Sequence, residues 1–369
     1  MTFADAEQPI ADDDAPSGSG LRAPFPYFGG KSGVAGVVWA ALGDVPNYIE
    51  PFFGSGAVLL ARPGKPRMET VNDADGMLAN FWRAVKSDPG TVAEHADWPV
   101  NESDLHARHL WLVGQREPLT ERLMGDPDWF DAKAAGWWVW GIGAWIGGGW
   151  CSGEGPWVAH GGRLTDRRTL GAGDDRRGMR RRRPNLSGSP TGAHRLSGAG
   201  VNRRRPRMDS GMGIHVSAGA CGRTLFIRDW FARLARRLRE VRVACGDWGR
   251  IATPAVLFPN IELCGVFLDP PYAAERAEIY VNESFSVAHE VRAWCAEHGG
   301  DPRMRIVLAG YAGEHDELEA LGWRVHAWKT SGGYAKLGNG RGKDNAAMER
   351  LWFSPHCIQP QRDLFGAAV

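Results

Sequence analysis

Val266-Phe267-Leu268-Asp269-Pro270-Pro271-Tyr272 reads as a short apolar strand that delivers a carboxylate, two prolines and an aromatic ring to its C-terminal end. In an open α/β sheet, that end is where ligands sit. Consecutive prolines donate no backbone hydrogen bonds, and each holds the residue before it extended. The turn therefore keeps Asp269 and Tyr272 at a set separation, with two carbonyl oxygens between them. An exocyclic amine can bond to the carboxylate and one carbonyl while a flat ring stacks on Tyr272. An isolated Asp-Pro-Pro is more often a surface turn. The apolar lead-in and the ring favour the functional reading here.

Outward from this turn, strands alternate with helices. Downstream the pattern gives a helix over 287–298, a strand over 305–309, a helix over 314–321 and a strand over 323–328. A basic glycine loop with Lys336, Arg341 and Lys343 comes next, and the last strand covers 349–353. Upstream, Phe226, Ile227, Trp230, Phe231, Leu234 and Leu238 recur at helical spacing. They lead into a strand from Val241 that runs to an acid and a ring, Asp247-Trp248. Alternation on this scale means a mostly parallel sheet with helices on both faces.

Nearer the start, Tyr27-Phe28-Gly29-Gly30-Lys31-Ser32 offers two glycines and a cation, but it lacks the full phosphate-loop pattern. Asn47-Tyr48-Ile49-Glu50-Pro51-Phe52-Phe53-Gly54-Ser55-Gly56 reads as a strand, a glycine turn and a helix start. Gly54 and Gly56 let a ligand lie against bare backbone at a helix N-terminus. About 20 residues on, a second strand ends at Val71-Asn72-Asp73-Ala74-Asp75, where an acid can hold ribose hydroxyls. Asp73 or Asp75 can equally cap the helix over 76–86.

The chain has 369 residues, 43% of them hydrophobic, which is enough for a large α/β domain with an insert. Its six cysteines show no Cys-x-x-Cys spacing, so reduced thiols in a cytoplasmic protein are expected, without a disulfide frame or a metal site. Thr2-Phe3-Ala4-Asp5 after Met1 shows no basic-then-apolar run, so no signal peptide is expected, and no apolar run reaches the roughly 20 residues of a membrane span. Residues 1–20 are acidic and small, and read as a disordered tail.

The net charge of +1 hides an asymmetry, because 163–207 holds fourteen arginines against three acids. That segment is either a solvated low-complexity loop or a mobile arm for a polyanion, and its charge favours nucleic acid. The tryptophans over 134–146, at 137, 138, 140 and 145, read first as core packing and second as base-stacking surfaces.

Taken together and in this order, the Tyr27–Lys31 stretch, the Glu50–Gly56 stretch, Asp73 and Asp269-Pro270-Pro271-Tyr272 closely resemble the Dam-type (D12 class) DNA adenine-N6 methyltransferases. The resemblance covers most of 24–97 and 223–353. It implies a Rossmann-like S-adenosylmethionine-dependent methyltransferase sheet, an α/β fold with an inserted target-recognition subdomain. The tail is then 1–20, the catalytic domain 21–97 and 223–369, and the insert 98–222.

The implied reaction is methyl transfer to the exocyclic amine of a flipped adenine in double-stranded DNA. Asp269, Pro270 and Tyr272 would be catalytic. Tyr27, Lys31, Glu50, Phe52, Gly54, Gly56, Asp73, Asp247 and Asp269 would hold the cofactor. Arg180, Arg181, Arg182, Arg183, Arg203, Arg204, Arg205, Lys336, Arg341 and Lys343 would meet DNA. No metal and no membrane are called for, and a monomer is the favoured state.

Where better-known members carry an aromatic–Asn–Arg pattern in the insert, this chain has Trp138-Val139-Trp140-Gly141. Competing readings are methylation of RNA adenine or cytosine N4, a DNA-binding relative without catalysis, and a nucleotide-phosphate enzyme.

Overall fold

The strand that ends at Leu268 lies inside a seven-stranded sheet, and its five residues Cys264–Leu268 are all buried. A strand covered on both faces has no solvent side, which is why this stretch reads as a continuous apolar run. The fold is described from a computed structural model. It covers residues 20–25, 27, 29–145, 150–151, 157–160, 163–166, 220–271, 283–328 and 349–359. Of 157–160, 163–166, 220–223 and 283–286 only the backbone is described.

In chain order the strands are β1 (Asn47–Glu50), β2 (Met68–Asp73), β3 (Trp157–His160), β4 (Arg163–Asp166), β5 (Val241–Cys245), β6 (Cys264–Leu268), β7 (Met304–Tyr311), β8 (Arg324–Ala327) and β9 (Glu349–Phe353). The helices are α1 (Ala35–Leu42), α2 (Ala57–Leu60), α3 (Gly76–Ser87), α4 (Pro89–Ala96), α5 (Glu102–Gly125), α6 (Ala132–Ile142), α7 (Ala220–Leu238), α8 (Pro254–Leu257) and α9 (Glu283–His298).

The main sheet runs β5-β2-β1-β6-β7-β9-β8. β5, β2, β1, β6 and β7 pair in parallel, and β9 runs antiparallel to both β7 and β8. β3 and β4 form a separate antiparallel hairpin beside α5.

Alternate residues of each strand feed two cores, as the two-residue period of a strand requires. Phe267, Val307, Ala309, Leu351 and Phe353 face one way, into a core shared with α1, α3, α4, α5, α6 and α7. Val266, Leu268, Ile306, Leu308 and Trp352 face the other way, toward Val291 and Cys295 of α9. The result is three layers, helix–sheet–helix. Trp138, Trp140 and Trp145 are buried in the first core, so these rings pack.

Three local readings need correction. The segment read as a solvated loop or mobile arm from Arg163 begins as a strand, because Arg163–Asp166 pairs with Trp157–His160. The segment read as a helix over 314–321 is a 3-10 helix, Asp316–Leu321, bracketed by Gly313 (φ +88°) and Gly322 (φ +84°). These left-handed glycines fix where the segment begins and ends. The strand from Val241 stops at Cys245 and does not run on to the acid and ring. Gly246 turns the chain (φ +121°), and Asp247 caps a 3-10 helix over Trp248–Ile251.

Candidate active site

The chain leaves β1 for β2, later adds β5 beyond it, then crosses back to lay β6 on the other side of β1. The strand order therefore reverses between β1 and β6, and their C-terminal ends open a crevice there. Glu50 closes β1 on one side, and Asp269 follows β6 on the other. Lys31 reaches into the same place from the turn before α1. Its Nζ lies 2.9 Å from Asp269 Oδ2 and donates to the Gly29 carbonyl at 2.7 Å. Lys31 is only 4% exposed, and its carboxylate partner compensates a charge removed from water.

The glycine turn is built around two left-handed residues, Gly54 (φ +50°) and Gly56 (φ +62°). A β-carbon on Gly54 would stand 2.8 Å from the Tyr27 ring, and one on Gly56 would stand 2.7 Å from the Phe53 ring. Both backbone shape and space therefore demand glycine. Tyr27 packs edge-on against Phe25, which is buried among Phe81, Trp82 and Trp138. Gly54 N–H donates to Asp73 Oδ2 at 2.9 Å, and Asp75 N–H donates to Asp73 Oδ1 at 2.9 Å.

Asp75 in turn accepts from Met77 N–H and is the N-cap of α3. The cap is thus Asp75, while Asp73 latches the glycine turn to the end of β2. Burial pushes the Asp73 carboxyl up to about 7, against the opposing pull of those two amide donors.

Glu50 is buried beneath the crevice. Burial drives its carboxyl well above the usual carboxylate range, and the nearby Asp269 charge adds to the shift. Tyr48 donates its hydroxyl to Glu50 Oε2 at 2.9 Å. That link was not read from the sequence, although residues 48 and 50 necessarily share one face of a strand. Asp247 is exposed and accepts from Gly249 N–H at 2.8 Å. Beside it, Trp248 stacks with Phe52 across the crevice wall, with centroids 6.2 Å apart and planes at 29°.

The fold therefore brings Tyr27, Lys31, Glu50, Phe52, Gly54, Gly56, Asp73, Asp247, Asp269 and Pro270 to the C-terminal edge of the sheet, on the loops that leave β1, β2, β5 and β6 and the turn before α1. Tyr272, Arg180–Arg183, Arg203–Arg205, Lys336, Arg341 and Lys343 lie outside the described residues. Among the described residues, no group of three or more His, Cys, Asp or Glu could hold a metal ion, and the cysteines are free and buried. No described helix is long and apolar enough to cross a membrane.

A mostly parallel seven-stranded sheet with this crevice and glycine turn has the Rossmann-like methyltransferase architecture. Within the chain, residues 27–106 match the family model for D12 class N6 adenine-specific DNA methyltransferase, which bears out the resemblance seen in the motifs. The matched stretch holds Tyr27, Lys31 and the whole glycine turn through Asp73, and it points to DNA adenine-N6 methylation. Comparison with curated proteins produced no match.

Proposed function

We propose that this protein transfers a methyl group from S-adenosylmethionine to the exocyclic amine of an adenine flipped out of double-stranded DNA. The observation that carries the reading is the placement of Asp269. It sits at the end of β6 in the switch-point crevice, paired with buried Lys31 and close enough to Glu50 of β1 to raise that carboxyl further.

The residues present suit the cofactor. Gly54 and Gly56 let the turn after β1 close against the Tyr27 and Phe53 rings, and the Asp73 carboxylate holds that turn at the end of β2. Tyr27, Lys31, Glu50, Phe52, Gly54, Gly56, Asp73, Asp247 and Asp269 are the residues that would hold it. When bound, S-adenosylmethionine supplies an electrophilic methyl group on a sulfonium centre.

An adenine amine is a poor nucleophile because its lone pair is delocalised into the ring. In this reading, Asp269 accepts one amine N–H and the Pro270 carbonyl accepts the other, which favours a pyramidal nitrogen with its lone pair aimed at the methyl carbon. Lys31 fixes the orientation of the Asp269 carboxylate. Rate is gained by positioning and preorganised dipoles. The base must leave the duplex to reach this crevice, and Tyr272 stacks on it. The arginine runs at 180–183 and 203–205, with Lys336, Arg341 and Lys343, contact the DNA backbone.

The test is to incubate the protein with duplex DNA and methyl-labelled cofactor, then map modified bases. Label on adenine N6 that disappears in a folded Asp269→Ala variant is the expected result. Near-normal turnover in that variant would overturn the assignment of the turn. Tyr272→Ala should weaken base capture by about 1–3 kcal/mol, as for other base-stacking rings. Tyr272→Phe should be much milder, since stacking uses the ring face.

A further inference from the structure

Asn72, the penultimate residue of β2, is 1% exposed and ties together two stretches of chain that the sequence keeps far apart. Its side-chain Nδ2 donates to the Pro51 carbonyl at 3.1 Å and to the Gly246 carbonyl at 2.9 Å. Pro51 is the first residue past β1, and Gly246 the first past β5. Backbone links run the same way: Phe53 N–H donates to the Asn72 carbonyl at 2.9 Å, and Gly246 N–H to the Asp73 carbonyl at 3.1 Å. The end of β2 is thus the hub from which both crevice walls hang. The next residues on those walls are Phe52 and, after Gly246, Asp247-Trp248, and the Phe52 and Trp248 rings stack.

The amide can sit only one way round. Turning it over would set Oδ1 against two carbonyl oxygens, which have no proton to donate. Oδ1 itself is buried with no hydrogen-bond partner among the described residues. A buried unpaired acceptor costs free energy, and an apolar residue of similar volume would avoid that cost. What an apolar residue cannot do is bridge the two carbonyls.

We infer that Asn72 is a positioning residue that sets the spacing between the Pro51–Phe52 and Gly246–Trp248 walls, and so the fit of the cofactor that Phe52 and Asp247 would hold. The inference rests on the methyltransferase reading above. A wall that binds the cofactor alike before and during the reaction changes KM and leaves kcat nearly unaltered.

S-adenosylhomocysteine is the probe, titrated calorimetrically into the full chain, into Asn72→Leu and into Asn72→Ser, with thermal melts to verify folding. Either folded variant should bind it at least fivefold more weakly, and KM for S-adenosylmethionine should rise while kcat stays within about twofold. Phe52→Ala supplies the readout that a merely structural role would not move. If Asn72 acts through that wall, adding Asn72→Leu to Phe52→Ala costs much less than it costs the parent.

A loss below fivefold, full multiplication of the two losses, or failure of both Asn72 variants to fold would overturn the inference. A parent chain that does not bind S-adenosylhomocysteine would instead overturn the methyltransferase reading on which it stands.

Discussion

Asp73 is a carboxylate that already serves the backbone and that the proposed function also assigns to the cofactor. Both oxygens already accept amide protons, yet burial holds the carboxyl up at about 7, well above an ordinary aspartate. The ionised form accepts hydrogen bonds on both oxygens, whereas the protonated form loses part of that capacity. Affinity for S-adenosylhomocysteine should therefore be near its full value above about pH 8 and fall as pH drops through 7 toward 6. Calorimetry across that range checks it. Asp73→Asn should bind more weakly and show a flat profile there, and a parent profile equally flat would remove Asp73 from the pocket. At this scale the sequence left Asp73 and Asp75 interchangeable. The distinction came from which backbone amides each one meets in space.

At the scale of elements, the bottom of the sheet is held by a buried ionic cluster. Glu69 of β2 lies between Arg62, which follows α2, and Arg237 of α7, at 3.1 Å and 2.7 Å. Arg237 also donates to the Leu59 carbonyl at 2.9 Å, so it joins the helix after the glycine turn to the helix before β5. Glu69 and Arg62 have almost no exposed side-chain surface. Removing one partner of such a cluster leaves uncompensated buried charge. Glu69→Ala should cost about 3–5 kcal/mol in urea unfolding at pH 7. Glu94→Ala, at the exposed Arg228 pair, should change little. Equal effects in the two variants would show that the cluster is screened by water.

The whole molecule joins the α/β sheet domain to a segment, 163–207, with fourteen arginines against three acids. Consecutive arginines at 180–183 and 203–205 cannot all reach base edges, so they should anchor phosphates. Replacing both runs with serine should weaken binding to every duplex and lower the log–log salt slope by about 0.9 per lost phosphate contact. The methylated sequence should not change. Affinity over a salt series and a map of modified adenines, each for parent and variant, test both halves of that statement.

The order of the main-sheet strands was legible in the chain because each announces itself locally, whereas the long helix Glu102–Gly125 and the hairpin of β3 and β4 were not read. Cys264–Leu268 is apolar throughout since both its faces are covered, and the proline pair ends it by removing donors. Glycines at 54 and 56 were legible as a turn because no other residue fits there. The 3-10 character of Asp316–Leu321 was not, since helical spacing looks alike over so few residues. Nor were the Lys31–Asp269 pair, the Tyr48–Glu50 bond and the Asn72 bridge. The sequence by itself determined which residues are apolar, which are charged and where the backbone must turn, because those are properties of neighbours along the chain. Which carboxylate faces which cation, and which loop lies against which, only the tertiary structure decided, because parallel strands place side by side residues that the chain separates by whole helices.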